Sequence, residues 1–150
     1  MQKIYIRPCV IGLGYVGLPI YIRLQKKFDA IGFDLSKDRV KSLKKGIDLN
    51  KEHLKKEICS NKKSFVTNKI QKIKNCNFYI VCVPTPITKS NKPDLKALLS
   101  SCKILSKILK EGDIIFFEST VYPGVTENIC ATYLENKTKL KMNKNFFIGY

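Results

Sequence analysis

At 150 residues the chain is long enough for one domain with a sizeable core and short for two. Its apolar residues, 44% of the total, fall in separated short runs, which excludes a disordered chain, and no run approaches the roughly 20 apolar residues of a membrane-spanning helix. The formal net charge of +16 is carried by lysines spread over nearly every polar segment, so they read as solvated positions of a lysine-rich sequence, and neither a specific nucleic-acid partner nor a membrane is expected.

The first five residues run straight into a strand pattern without a signal-peptide apolar region, so a cytoplasmic location is expected. Pro8 to Ile11 is a buried strand, with Pro8 tolerable only at its first residue. Glycines follow, and a helix runs to about Lys27 with Pro19 in its first turn or so. Ala30 to Phe33 is a second strand, closed by Asp34. Ser36 caps a helix that uses Val40 and Leu43, and Gly46 stops it. Asn50 opens a short helix with Leu54 and Ile58. Phe65 and Val66 mark a third strand, and Ile70 and Ile73 a brief helix. Phe78 to Val83 is the strongest strand, continuously apolar and rich in β-branched and aromatic residues, and Pro84-Thr85-Pro86 ends it. Asp94 caps a long amphipathic helix through Leu109. Ile114 to Phe117 is a fifth strand. Pro123-Gly124 makes a turn, Thr126 caps a helix to about Leu134, and Phe146 to Ile148 starts a sixth strand. This alternation predicts a three-layer α/β domain over residues 1–150, with a doubly wound, mostly parallel six-stranded sheet of the Rossmann type.

Chemistry concentrates at Gly12-Leu13-Gly14-Tyr15-Val16-Gly17, a G-x-G-x-x-G between a strand and a helix. Gly12 allows the tight turn, Gly14 lets a pyrophosphate approach the backbone, and Gly17 lets the helix pack closely on the sheet. The helix N-terminus offers free N–H groups to phosphates. Asp34 ends the next strand at the spacing expected of an acceptor for the adenosine ribose hydroxyls, which favours NAD. Lys37 and Arg39, just beyond it, are the residues that would accept the extra phosphate of NADP instead. Val83-Pro84-Thr85-Pro86 and Glu118-Ser119-Thr120 follow the fourth and fifth strands, where ligands of open α/β sheets bind. As residues they read equally well as ordinary polar turns. The six cysteines, Cys9, Cys59, Cys76, Cys82, Cys102 and Cys130, have the spacing of neither a zinc site nor a disulfide framework, and are expected as reduced thiols. No metal site is expected.

Taken together, VIGLGYVGLP, GFD with RV five residues after Asp34, NFYIVCVPTPI, KPDL and FESTVYPGVTE resemble the N-terminal NAD domain of the UDP-glucose/GDP-mannose dehydrogenase family. The VPTPI and ESTVYPG wording is most similar to the branch that oxidises UDP-N-acetylhexosamines for bacterial capsule and surface polysaccharides. The resemblance implies oxidation of a sugar C6 alcohol to a carboxylate with two NAD. It implies cofactor contacts at Gly12, Leu13, Gly14, Tyr15, Val16, Gly17, Asp34, Arg39, Val83, Pro84, Thr85, Ser119 and Thr120. Thr120 matches a threonine that helps hold the catalytic water. It also implies a UDP-sugar substrate and a homodimer for a full-length protein. The family's nucleophilic cysteine, its lysine, the central helix and the nucleotide-sugar domain follow later in the sequence, so this chain is expected to be a fragment. Two alternatives stay open: the NAD domain of another dehydrogenase class, or an inactive truncated NAD-binding module.

Overall fold

The computed structural model describes residues 5–88 and 90–150. Six short strands form one sheet: β1 (Pro8–Ile11), β2 (Ile31–Phe33), β3 (Phe65–Thr67), β4 (Phe78–Val81), β5 (Ile114–Phe117) and β6 (Phe147–Gly149). Their order is β3-β2-β1-β4-β5-β6. Every neighbouring pair is parallel, so the expectation of a mostly parallel sheet becomes an all-parallel one. The order reverses between β1 and β4, the place where doubly wound sheets open a crevice at their carboxyl ends.

Side-chain alternation on the central strands decides the layering. Cys9 and Ile11 of β1, Tyr79 and Val81 of β4, and Ile115 and Phe117 of β5 point to one face. There they pack with Leu98, Cys102 and Leu105 of α4 (Lys96–Leu105) and with Leu134 of α5 (Thr132–Thr138). Val10 and Ile80 point to the other face. They meet Leu18, Tyr21 and Ile22 of α1 (Gly17–Leu24), Val40 and Leu43 of α2 (Lys37–Lys44), and Ile58 of α3 (Lys55–Ile58). Strands apolar on both faces are what a sheet covered by helices on each side requires.

Pro8 opens β1, where its missing N–H costs least, and Ser36 caps α2 by accepting from the Arg39 N–H at 3.2 Å. Three of the expected helix starts are displaced. Leu54, not Asn50, occupies the N-cap position of α3, and Asn50 lies in the preceding turn, its N–H donating to the Asp48 carboxylate. Leu95, not Asp94, occupies the N-cap position of α4. Asp94 still serves that end, its carboxylate accepting from the Lys96 N–H at 2.9 Å. Thr126 does not cap a helix: Gly124 turns the chain at a φ of 91°, and Val125–Ala131 then winds as a π-helix with Thr126 buried inside it. The segment expected as a brief helix is a single 3₁₀ turn, Ile70–Lys72.

Two glycines set the top of the sheet. Gly12 has a φ of +91° and donates to the Phe33 carbonyl at 2.8 Å, and a Cβ there would stand 2.7 Å from the Cys82 carbonyl oxygen. A Cβ on Gly17 would overlap the Gly12 carbonyl oxygen outright, and backbone there cannot move aside. Gly14 meets nothing within 4 Å of its ideal Cβ position. Gly17→Ala is therefore expected to destabilise the fold by about 3 kcal/mol, the upper end of ordinary overpacking. Gly14→Ala should stay within about 1 kcal/mol. Urea melts followed by circular dichroism compare the two, and equal midpoints would refute the packing assigned to Gly17.

Candidate dinucleotide site

The glycine turn leaves β1 at the carboxyl edge of the sheet and enters α1 directly. Val16 holds the N-cap position without any side-chain hydrogen bond, and no acidic residue lies in the first turn of α1. The positive end of the helix therefore carries no acidic side chain of its own and lines the crevice beside Gly14, which Glu118 also lines.

Hollows lie on either side of this turn. One, of about 230 Å³, is bounded by Ile11, Gly12, Phe33, Asp34, Val83 and Ile104 among others, and is almost wholly apolar. The other, of about 370 Å³, is bounded by Gly14, Tyr15, Val16, Thr85, Ser119 and Thr120 among others. Val83 and Pro84 line both. The sequence segments after β4 and β5 thus do face the same crevice as Gly14, rather than being unrelated polar turns.

Those two segments are bolted to each other. The Thr85 hydroxyl donates to the Thr120 carbonyl at 2.6 Å, and the Ser119 hydroxyl donates to the Val83 carbonyl at 2.6 Å. Their side-chain hydroxyls therefore shape the wall of the crevice. Thr120 contributes its backbone carbonyl to this brace, and it is exposed on the crevice wall.

Asp34 grips the turn from the other side. One carboxylate oxygen accepts from the Leu13 N–H at 2.9 Å and the other from the Ser36 N–H at 2.8 Å. Each oxygen can accept a second hydrogen bond, so the carboxylate still has capacity for ribose hydroxyls at the mouth of the apolar hollow. Arg39 is drawn inward. Its Nε donates to the Leu13 carbonyl at 2.8 Å and one terminal nitrogen donates to Asp48 at 2.8 Å, leaving its side chain 11% exposed. Nη2 is buried without an acceptor. Lys37 stays exposed on α2.

Sequence reasoning missed Asp48. Its side chain is fully buried, and it accepts from Arg39 and from the N–H groups of Asn50 and Glu52. Burial alone pushes its carboxyl upward, but those hydrogen bonds and the Arg39 charge outweigh it and hold the pKa below the usual carboxylate value. The loop after Gly46 carries no motif that marks it. Leu35, Ala97, Ser100 and Ser101 also line the apolar hollow, Leu35 from the turn just after Asp34 and the other three from α4, which no motif links to the site.

The thiols behave as expected, with one addition. All six cysteines are free and five are buried. Cys82, expected inside a strand, follows β4 and lines the crevice. Desolvation and, less, the nearby Glu118 push its pKa up to about 12, so it stays a neutral thiol. Among the described residues no group of three or more acidic, His or Cys side chains is placed to hold a metal, and no helix is long and apolar enough to cross a membrane.

A parallel sheet with this strand order, a glycine turn into an uncapped helix and an acid closing β2 define a Rossmann-type dinucleotide-binding domain. The chain belongs to the UDP-glucose/GDP-mannose dehydrogenase family, whose NAD binding domain matches residues 6–150. It is 41% identical over 145 residues to the UDP-N-acetyl-D-glucosamine 6-dehydrogenase of Salmonella typhi, covering 97% of this chain and 34% of that protein. It is 40% identical over 141 residues to protein CapL of Staphylococcus aureus, covering 94% and 33%. The solved UDP-D-ManNAc dehydrogenase of Pyrococcus horikoshii superimposes with a TM-score of 0.86 at 32% identity, over 95% of this chain and 35% of that one. The chain spans about a third of the length of the curated relatives it matches.

The Asp48 geometry carries a pH signature. A carboxyl whose folded pKa is lowered adds stability that is complete above its unfolded value, ~3.9, and is lost as pH falls through the folded value. Asp48→Asn should therefore be less stable than wild type at pH 7, with the gap closing below about pH 4. Thermal melts of both proteins between pH 3 and 7 measure it. A gap that stays constant with pH would show that the Asp48 charge contributes nothing to stability.

Proposed function

We propose that this chain is the NAD-holding part of a longer enzyme that oxidises the C6 alcohol of a UDP-sugar, a UDP-N-acetylhexosamine, to the uronic acid with two NAD. The observation that carries the cofactor reading is Gly14. The fold does not need a glycine there, since a Cβ would meet no protein atom, yet the position sits between two hollows at an uncapped helix end. A pyrophosphate crossing the turn gives that glycine a reason, because it brings oxygens against the backbone. The residues fit the group. The apolar hollow would take the adenosine, with Asp34 accepting from its ribose, and Gly12, Leu13, Gly14, Tyr15, Val16 and Gly17 would hold the phosphates. Val83, Pro84, Thr85, Ser119 and Thr120 would line the nicotinamide side, and Arg39 would contribute from beneath the turn. NAD, when bound, supplies the hydride acceptor.

The chain's own residues bind and orient. Asp34 selects against a 2′-phosphate by its charge, and two of the three Arg39 side-chain nitrogens are committed to Leu13 and Asp48, with the third buried. The Thr85–Thr120 and Ser119–Val83 bonds tie the backbone of the crevice wall together, and so fix the point from which the exposed Thr120 side chain presents its hydroxyl to the water of the second oxidation. The sugar assignment is supported by the relatives at 40–41% identity, one of them named a UDP-N-acetyl-D-glucosamine 6-dehydrogenase. The longer protein works as a cytoplasmic homodimer in this reading, and the dispersed lysines serve no specific nucleic acid.

Calorimetry with both cofactors tests the first step: NAD should bind tighter than NADP, and Asp34→Ala should weaken NAD by about 1–3 kcal/mol through loss of charge-assisted hydrogen bonds. Equal or tighter binding of NADP overturns the assignment. Gly14→Val should abolish NAD binding with the circular dichroism spectrum unchanged, and retained affinity would reduce the glycine turn to a turn. The chain by itself should bind NAD without producing NADH from UDP-N-acetylglucosamine. Cys82, its one crevice thiol among the described residues, is neutral and is no covalent nucleophile for the second oxidation, and in this reading the groups that position the sugar alcohol for the first hydride transfer belong to the longer protein, of whose relatives this chain spans about a third. Steady, substrate-dependent absorbance of NADH from the 1–150 protein would show otherwise.

A further inference from the structure

We infer that Asp48 is a positioning residue for the glycine turn, acting through Arg39 on the peptide that joins Leu13 to Gly14. The inference rests on the NAD reading and adds to it a residue outside the fingerprint. Leu13 is the middle of Gly12-Leu13-Gly14, and both polar groups of its backbone are held by side chains. Its N–H donates to Asp34 at 2.9 Å, and its carbonyl accepts from Arg39 Nε at 2.8 Å. The two bonds hold the two successive peptide planes that flank Leu13, and the second plane carries the Gly14 N–H, so the Arg39 bond sets where that N–H points.

Arg39 can do this only if its long side chain is itself fixed. Asp48 supplies that hold: one oxygen accepts from Arg39 Nη1 at 2.8 Å, and the carboxylate is anchored by the N–H groups of Asn50 at 3.1 Å and Glu52 at 3.1 Å. The guanidinium thus lies in a planar fork between Asp48 and Leu13, a geometry that a lysine cannot reproduce. A buried carboxylate with three donors would serve equally well as a staple for the loop after α2. What separates positioning from stapling is the second arm of the fork, which ends on the glycine turn 26 residues earlier. The remaining terminal nitrogen, Nη2, is buried with no acceptor in the protein, so the fork also keeps one donor in reserve beside the turn.

Calorimetric NAD titration of the 1–150 chain tests this in wild type, Asp48→Ala, Asp48→Asn, Arg39→Ala and Asp48→Ala/Arg39→Ala. Asp48→Ala should weaken NAD about tenfold, as coupled contacting residues do. Asp48→Asn keeps an oxygen for Arg39 and should recover to within about threefold of wild type. In the Arg39→Ala background, Asp48→Ala should cause no further loss of affinity, although it still lowers the unfolding midpoint. Wild-type affinity in Asp48→Ala, or the same fold-loss in both backgrounds, overturns the inference. Should Asp48→Ala not fold, Arg39→Lys carries the test: it retains a cation for Asp48 but not the fork, and unchanged NAD affinity would overturn the inference equally. A wild-type chain that does not bind NAD overturns the cofactor reading and this inference with it, and the wild-type titration tells that failure from the others.

Discussion

Helix α1 is pressed against the turn that leaves β1 so closely that only hydrogen fits between them at Gly17. That contact fixes the axis of the helix over the sheet, and everything at the carboxyl edge follows from it. The uncapped first turn of α1 is aimed at the crevice because the helix cannot tilt away. Gly12 must adopt a left-handed conformation because the chain has to reverse within two residues of a buried strand and beneath the Cys82 carbonyl. The turn is then free to face a ligand on its outer side, where Gly14 leaves the backbone bare.

Two carboxylates converge on this contact, one partly buried and one buried. Of 12 acidic residues in a chain of net charge +16, Asp34 and Asp48 are both bound to the glycine turn, one directly and one through Arg39. Exposed lysine pairs such as Lys96 with Asp94 contribute little, being solvated and screened. The ion pair beneath the turn is different in kind. Its carboxylate is fully buried and satisfied by backbone N–H groups as well as by the guanidinium, which is the condition under which a buried pair holds geometry instead of straining it. The rigidity of the far wall has another source: two hydroxyls, Thr85 and Ser119, each donate across to the neighbouring loop's backbone and so join the ends of β4 and β5.

The sequence by itself determined the strands, the helices that separate them, and the central motif, because each is a local property. Apolar runs such as FYIV, bounded by prolines and glycines, read as buried strands wherever they occur, and the G-x-G-x-x-G with Asp34 is a spacing within one βαβ unit. The helices expected to start at Asn50, Asp94 and Thr126 begin at other residues, because a capping residue is selected by where the preceding turn delivers the chain; before Thr126 that turn is made by the left-handed Gly124. Only the tertiary structure decided that the sheet is parallel throughout, that the loops ending at Thr85 and Thr120 bond to each other, and that Arg39 turns inward to Asp48 instead of outward. The side-chain pairings among these join residues 9 to 36 positions apart, and strands β1 and β4 pair across 70, by packing that no local pattern of side chains encodes.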